Sequence, residues 1–151
     1  MVVRRWRSPN EHQLEQTMNT IHKDKYGHIT HDVARKFLRI DWFPTTAEMT
    51  ADEFKRSLTV LADAAVAHAA ESILVNVRDF RSKTAMEVDA WRVQNIVPKY
   101  NKVLKRFAWL AGEQPPQLPG GGNAYQNEGE TYQNRWFRDE PAAVSWATAN
   151  A

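Results

Sequence analysis

The chain has 151 residues and a mass of 17.4 kDa, enough for one domain that folds without disulfide bonds or a structural metal. Its composition, with 42% hydrophobic and 25% charged residues, excludes a disordered or fibrous chain. The absence of cysteine excludes a disulfide framework, a thiol nucleophile and a cysteine-based zinc site, and the formal net charge of +2 gives little support to nucleic-acid binding.

The N-terminal segment shows little periodicity and carries three arginines within its first seven residues. We interpret residues 1–20 as an arm, with at most one irregular strand before Lys25, and predict that residues 21–151 form a single α/β domain. The segment lacks the apolar run of a signal peptide, and no window of the chain approaches about 20 apolar residues. We therefore expect a cytoplasmic protein without stable membrane insertion.

Alternating side chains predict a β-hairpin in the next part of the chain. Residues 28–31 precede a turn at Asp32, and residues 36–43 then alternate between apolar and polar side chains until Pro44. His28 and His31 are three residues apart, so on a strand they point to opposite faces and do not share a metal. No metal site and no cofactor are predicted.

Two helices are predicted from capping boxes followed by apolar stripes. The first runs from Thr50 towards Ala70, and a buried strand follows over residues 72–80. The second begins at Thr84 and has a regular apolar stripe whose members are Met86, Ala90, Val93, Val97, Tyr100 and Leu104. Pro98 lies inside this stripe and predicts a kink or break.

The last third of the chain is predicted to hold two strands, a long loop and a helix. The strands cover residues 106–111 and 131–137, and Asp139 caps the final helix. Between the strands, the stretch 112–130 is rich in glycine and proline at its start and is the candidate lid or partner loop. The element order predicts one mixed β-sheet of about five strands with helices mainly on one face, the other face staying partly wet.

This order, together with several aromatic and charged landmarks, resembles the STAS superfamily, and in particular its small stand-alone bacterial proteins that are anti-sigma-factor-antagonist-like or STAS/CRAL-TRIO-like. The resemblance covers about residues 20 to 149. The landmarks are Asp41-Trp42, residues 49–54, residues 74–80, the spacing from Trp91 to Pro98, Arg106-Phe107-Ala108, residues 136–140, Ala143 and Trp146.

The resemblance implies a non-enzymatic binding or regulatory fold. In the anti-sigma-factor antagonists, a serine in an Asp-Ser-Ser/Thr-Gly motif at a helix start is phosphorylated by a partner kinase. The matching stretch here, residues 79–84, has an aspartate and hydroxyls but lacks the motif and its glycine. Ser82 and Thr84 are therefore weak phosphorylation candidates, and the alternative is that Thr84 merely caps its helix.

Several side chains are candidates for binding a ligand or a partner. Arg39 and Arg78 share one sheet face with Asp41 and Asn76, and they form either an anion site or a solvated, ion-paired patch. Trp91 lies outside the apolar stripe, on the same side of the helix as Gln94. It lines a partner surface or a pocket, or it packs on the N-terminal arm or the 112–130 loop. The remaining candidates are Trp109 and Tyr125.

Two functions remain open from the sequence. In the first, the chain is a module that binds an unknown protein partner or a small ligand. In the second, it carries an apolar or lipid-like ligand in a pocket under the 112–130 loop. No nucleophile elbow or coherent set of catalytic side chains is present, so no enzyme is predicted. A homodimer through the alanine-rich helix or an edge strand is a further expectation.

Overall fold

The computed structural model describes residues 18–112 and 127–149. These residues form a six-stranded mixed sheet with the strands in sequential order, together with four α-helices. The strands are Met18–Lys23 (β1), Gly27–Asp32 (β2), Phe37–Trp42 (β3), Ser72–Asn76 (β4), Arg106–Leu110 (β5) and Gln133–Phe137 (β6). The α-helices are Ala51–Ala67 (α1), Ala85–Asn95 (α2), Val97–Asn101 (α3) and Glu140–Thr148 (α4). The predicted α/β class and single mixed sheet are confirmed, with one strand more than expected.

The first three strands are antiparallel. The predicted hairpin is present as β2 and β3, and the carboxylate of Asp32 forms its turn by accepting a hydrogen bond from the backbone N–H of Arg35 (3.1 Å). Lys36 completes this turn with a positive φ of 51°. The sixth strand, β1, pairs with β2 through a register shift between Thr20 and His22. It lies where the sequence allowed one irregular strand before Lys25, outside the five strands that were counted.

The remaining strands, β3 to β6, are parallel, and their register aligns side chains in rows across the sheet. Ile40, Val75, Trp109 and Trp136 form one such row. Two crossovers run through helices, α1 between β3 and β4, and α2 with α3 between β4 and β5. The carboxyl ends of these four strands therefore meet at one edge of the sheet, which we call the carboxyl edge, and their amino ends meet at the opposite amino edge.

The first helix follows the sequence pattern closely. The hydroxyl of Thr50 accepts a hydrogen bond from the N–H of Glu53 (3.1 Å), and the Glu53 carboxylate accepts one from the N–H of Thr50 (3.0 Å), which is the predicted capping box. The apolar stripe that includes Phe54, Leu58 and Leu61 is buried against the sheet.

The second predicted helix is two helices, because the chain breaks at Ile96 just before Pro98. The stripe predicted across it is wrong in its first half. Met86, Ala90 and Val93 are exposed, whereas Val88 and Ile96 are buried. The second half of the stripe, on and after α3, is buried as predicted. A break changes the helical phase, so a single periodic pattern does not hold on both sides of it.

Both faces of the sheet carry a hydrophobic core. The larger core joins one face to α1, α2 and α3, and includes Leu38, Ile73 and Phe107. The smaller core packs α4 on the other face, where Ala143 meets Leu74 and their neighbours. The expectation of a partly wet second face therefore needs a correction, because α4 covers the middle of that face and polar side chains remain at its two edges.

Two strand boundaries differ from the prediction by more than one residue. β4 ends at Asn76, four residues early, because the Asn76 side chain accepts a hydrogen bond from the N–H of Arg78 (3.2 Å) and turns the chain. Phe80, predicted on this strand, packs edge-on against Trp42 instead. β6 begins at Gln133, two residues later than predicted. A short 3-10 helix, Pro44–Glu48, joins β3 to α1.

Candidate functional site

A polar network lies at the carboxyl edge, on the face that α4 covers. Arg39 forms two hydrogen bonds from Nε and one from Nη2 to the carboxylate of Asp41 (2.9–3.2 Å), and Nη2 also reaches Glu140 at the start of α4 (2.9 Å). Asn76 donates to Asp41 (2.8 Å). Arg78 donates from Nε to the Asn76 carbonyl (3.0 Å) and from Nη2 to Glu140 (2.8 Å). We call these five residues the carboxyl-edge network.

The electrostatics of the network reflect its internal pairing. Burial by itself would lower the pKa of Arg39, but its hydrogen bonds to Asp41 and Glu140 outweigh that effect and raise the pKa. The hydrogen bond from Arg39, joined by the charge of Arg78, lowers the pKa of Glu140. Two guanidinium groups thus face two carboxylates.

The pairing bears on the choice between an anion site and an ion-paired patch. An anion entering at Arg39 would have to displace Asp41 or Glu140, each of which already accepts charge-assisted hydrogen bonds. Arg78 is the more exposed of the two arginines, but it too is bonded to Glu140. The contacts support the ion-paired alternative, in which the network fixes the start of α4 against β3 and β4.

A second polar cluster lies on the opposite sheet face and surrounds the buried carboxylate of Glu130. The phenol of Tyr132 donates a hydrogen bond to one carboxylate oxygen (2.6 Å), and the amide of Asn134 donates to the other (2.9 Å). Arg92 of α2 approaches the carboxylate at 3.7 Å. The Asn134 carbonyl accepts a hydrogen bond from the indole N–H of Trp109 (3.1 Å). We call these five residues the Glu130 cluster.

The pKa of the Tyr132 phenol is raised, first by burial and then by the hydrogen bond to Glu130. The phenol therefore stays a neutral donor. The indole of Trp109 also stacks on that of Trp136, with ring centroids 5.0 Å apart and planes 7° from parallel. The cluster joins α2 to the outer strands of the sheet and satisfies a buried charge.

Trp109 is the one predicted binding residue that this cluster includes. Glu130 and Asn134 were not predicted, although Glu130, Tyr132 and Asn134 alternate along the chain, which is the signal of side chains that share one strand face. The pattern does not reveal that the carboxylate is buried, because burial also depends on Arg92 and α2, which come from a distant part of the chain.

Trp91 and Gln94 lie three residues apart on α2 and differ in burial. Trp91 is half-buried against the larger core, and Lys55 of α1 lies over its ring at 5.7 Å from the centroid. Packing on the core was not among the roles expected for Trp91. Gln94 is exposed and lies beside the exposed apolar residues of the helix.

Ser82 and Thr84 bond to each other immediately before α2. Their hydroxyl oxygens are 2.9 Å apart, and the Ser82 hydroxyl accepts a hydrogen bond from the N–H of Thr84 (3.1 Å). Thr84 makes no side-chain capping bond to the helix, so the predicted capping box is wrong. Phosphorylation of either residue stays a prediction.

Other sequence predictions fall on parts of the chain that are not described. Tyr125 lies there, as does most of the 112–130 loop, so a pocket beneath that loop also stays a prediction. Within residues 18–112 and 127–149, no cluster of three or more histidines or carboxylates has the arrangement of a metal site. In the same ranges, no helix is both long and apolar enough to cross a membrane.

The fold and these clusters define the chain as a single-sheet α/β protein with polar networks on both sheet faces. Comparison with known proteins finds no matching family model, no matching curated protein and no matching solved structure. The resemblance to the STAS superfamily accordingly rests on the sequence landmarks alone.

Proposed function

We propose that the chain is a non-enzymatic, cytoplasmic binding module of STAS-like type that docks a helical segment of a protein partner on the outer side of α2. The observation that carries the proposal is Met86, whose side chain is 91% exposed at the start of this helix. Ala90 is also exposed, and Val93 is 43% exposed. We call Met86, Ala90 and Val93 the α2 outer row.

The spacing of the α2 outer row favours a helix as the docked segment. Its members are four and three residues apart, which aligns them along one side of a helix in the manner of a coiled-coil seam. A single apolar row matches the apolar side of one partner helix. Gln94 lies beside the row and offers a polar contact at its rim.

The charges beside the row indicate the chemistry of the partner. At about 100° per residue, Glu87 and Asp89 fall on opposite sides of the row, and both are exposed. Asp89 is paired with Arg92, whereas Glu87 has no ion-pair partner among the described residues. A partner helix with basic residues beside its apolar side is complementary. A second copy of this chain would place acidic groups against acidic groups, which disfavours a homodimer through this face.

A peptide titration tests the proposal. The probe is a synthetic amphipathic helix with leucines at four- and three-residue spacing and lysines on both flanks, titrated into 15N-labelled protein and followed by amide chemical shifts. We expect saturable shifts centred on α2. The double variant Met86→Ser/Val93→Ser removes most of the apolar contact and is expected to bind about tenfold more weakly or worse.

The matched control is Val66→Ser, because Val66 is a similarly exposed valine (39%) on a different helix, α1. This variant should bind the peptide as the unmodified protein does. Shifts spread evenly over the surface, or equal affinity in the double variant, would contradict docking on α2. Size-exclusion chromatography with light scattering should find a monomer. A dimer that is lost in the double variant would show instead that the α2 outer row binds a second copy of this chain.

A further inference from the structure

A pocket of about 170 Å³ lies at the amino edge of the sheet, far along the strands from the carboxyl-edge network. The amino ends of β4 and β5 and the end of α4 form its walls. Its charged lining consists of Arg35, Lys105 and Arg106 with a single acid, Glu71. The lining therefore carries an excess of positive charge.

The one acid does not neutralise this lining. Glu71 is shared between Lys105 (3.5 Å) and Lys36 (3.9 Å), and both lysines are mostly exposed. Exposed pairs at such distances hold each other weakly. Glu71 therefore offsets one of the surrounding cations and the buried Asp32 offsets Arg35, which leaves a net positive charge that includes Arg106.

Both arginines of the pocket keep unused donors. Arg106 donates from Nη1 to the carbonyls of Trp146 and Ala149 (2.8 and 2.9 Å), which occupies one terminal nitrogen. Arg35 donates from Nε to the buried Asp32 (2.5 Å). A guanidinium has five N–H donors, so in each case at least two remain for an anion. The contact of Arg106 also offsets the negative end of the α4 dipole, which would otherwise repel an anion.

A buried hydroxyl points to the same place. Ser72 lines the pocket and is only 1% exposed, and its Oγ finds no hydrogen-bond partner within the described residues. Along β4, Leu74 belongs to the core under α4, so alternation places the Ser72 side chain on that face, beneath the end of α4. A buried hydroxyl without a hydrogen-bond partner lowers the stability of the fold, and a bound acceptor would remove this cost.

We propose that this pocket binds a small oxyanion, a phosphate or carboxylate group, held by Arg35, Lys105 and Arg106 and by a hydrogen bond from Ser72. The volume corresponds to about five or six waters at ~30 Å³ each, which is enough room for such a group. The site is independent of the α2 outer row, which lies on the other face of the sheet.

Inorganic phosphate is the probe that tests this site. It is titrated into the 15N-labelled protein at constant ionic strength against a chloride baseline. We expect saturable amide shifts at Ser72, Lys105 and Arg106. Ser72→Ala removes the hydroxyl and should weaken binding about tenfold. Lys105→Gln, at a largely exposed position that the fold tolerates, should weaken it about threefold.

Lys102→Gln is the matched control, because Lys102 is exposed nearby but does not line the pocket, and it should bind phosphate normally. A parallel titration with acetate separates the two sources of the oxyanion. Tighter acetate binding assigns the pocket to carboxylates, and tighter phosphate binding assigns it to phosphorylated ligands. Equal shifts with chloride, unchanged affinity in Ser72→Ala or Lys105→Gln, or equal weakening in Lys102→Gln overturns the proposal.

Discussion

His31 is a buried imidazole on β2 that stands against His68 at the end of α1. The two ring centroids are 4.4 Å apart, and Nε2 of His31 has no hydrogen-bond partner among the described residues. Burial, followed by the charge of His68, lowers the pKa of His31, against a smaller opposing effect of Asp32. The folded protein therefore resists protonation of this ring.

The lowered pKa predicts a loss of stability in mild acid. Below about pH 6.5 the unfolded chain takes up a proton at His31 that the folded chain refuses, so the free energy of unfolding falls as the pH decreases towards the lowered pKa. The contribution of one proton cannot exceed ~1.4 kcal/mol per pH unit. Urea unfolding of His31→Gln at several pH values should show a shallower dependence than the unmodified protein.

The control for this measurement is His28→Gln, on the same strand, where the ring is hydrogen-bonded to the Thr20 hydroxyl (2.9 Å). Between pH 5 and 7, the range in which histidine titrates, the pH dependence should change more in His31→Gln than in this variant, because only His31 has a ring nitrogen buried without a hydrogen-bond partner among the described residues. A pH dependence that is unchanged in His31→Gln would rule out the buried imidazole as its source.

At the scale of single residues, the burial of Glu130 is a feature that the sequence does not predict. Its carboxylate is buried, and Tyr132 and Asn134 donate to it from the next few residues. Arg92 lies 38 positions earlier in the chain and meets it only when α2 packs on the sheet. Local patterns carry no information about such a partner. Trp109 was predicted as a binding residue, whereas its indole N–H is used inside this cluster.

At the scale of elements, two threonines before helices provide a matched comparison. Thr50 makes the capping bond of α1, and Thr84 makes none to α2. Thr50→Ala should therefore reduce the free energy of unfolding by about 1 kcal/mol, measured by urea denaturation. Thr84→Ala loses only the contact with Ser82 and should cost less than half as much. Equal losses in the two variants would mean that the capping bond of Thr50 contributes nothing specific.

The helices also show where periodicity succeeds and where it fails. α1 follows its sequence stripe because the helix is unbroken from its capping box to its last turn. The stripe predicted from Met86 onward assumed one continuous helix, but the break at Ile96 separates the phase of α2 from that of α3. Pro98 predicted the break, and a break means that the buried side of α3 does not determine the buried side of α2. The same error placed Trp91 away from the core.

At the scale of the whole molecule, the element order predicted the mixed sheet but not the position of the last helix. Strands that alternate with helices predict a parallel arrangement of those strands, and amphipathic helices predict that one face of the sheet is covered. α4 follows the edge strand β6, and no described residue after it belongs to another strand, so the element order leaves its face undetermined. Its contacts with β4 and β5 place it opposite the other three helices.

The packing of α4 predicts that the second core is as sensitive as the first. Ala143 is 0% exposed and faces Leu74 and Leu110, whereas its neighbour Ala142 is exposed. Ala143→Leu forces three additional carbons into a filled layer, which should lower the free energy of unfolding by about 1–3 kcal/mol in urea denaturation. Ala142→Leu adds the same atoms on the solvent side and should change it by less than about 0.5 kcal/mol. If the two variants were equally stable, α4 would not be packed on the sheet, and the carboxyl-edge network and the pocket at the amino edge would both lose the helix that completes them.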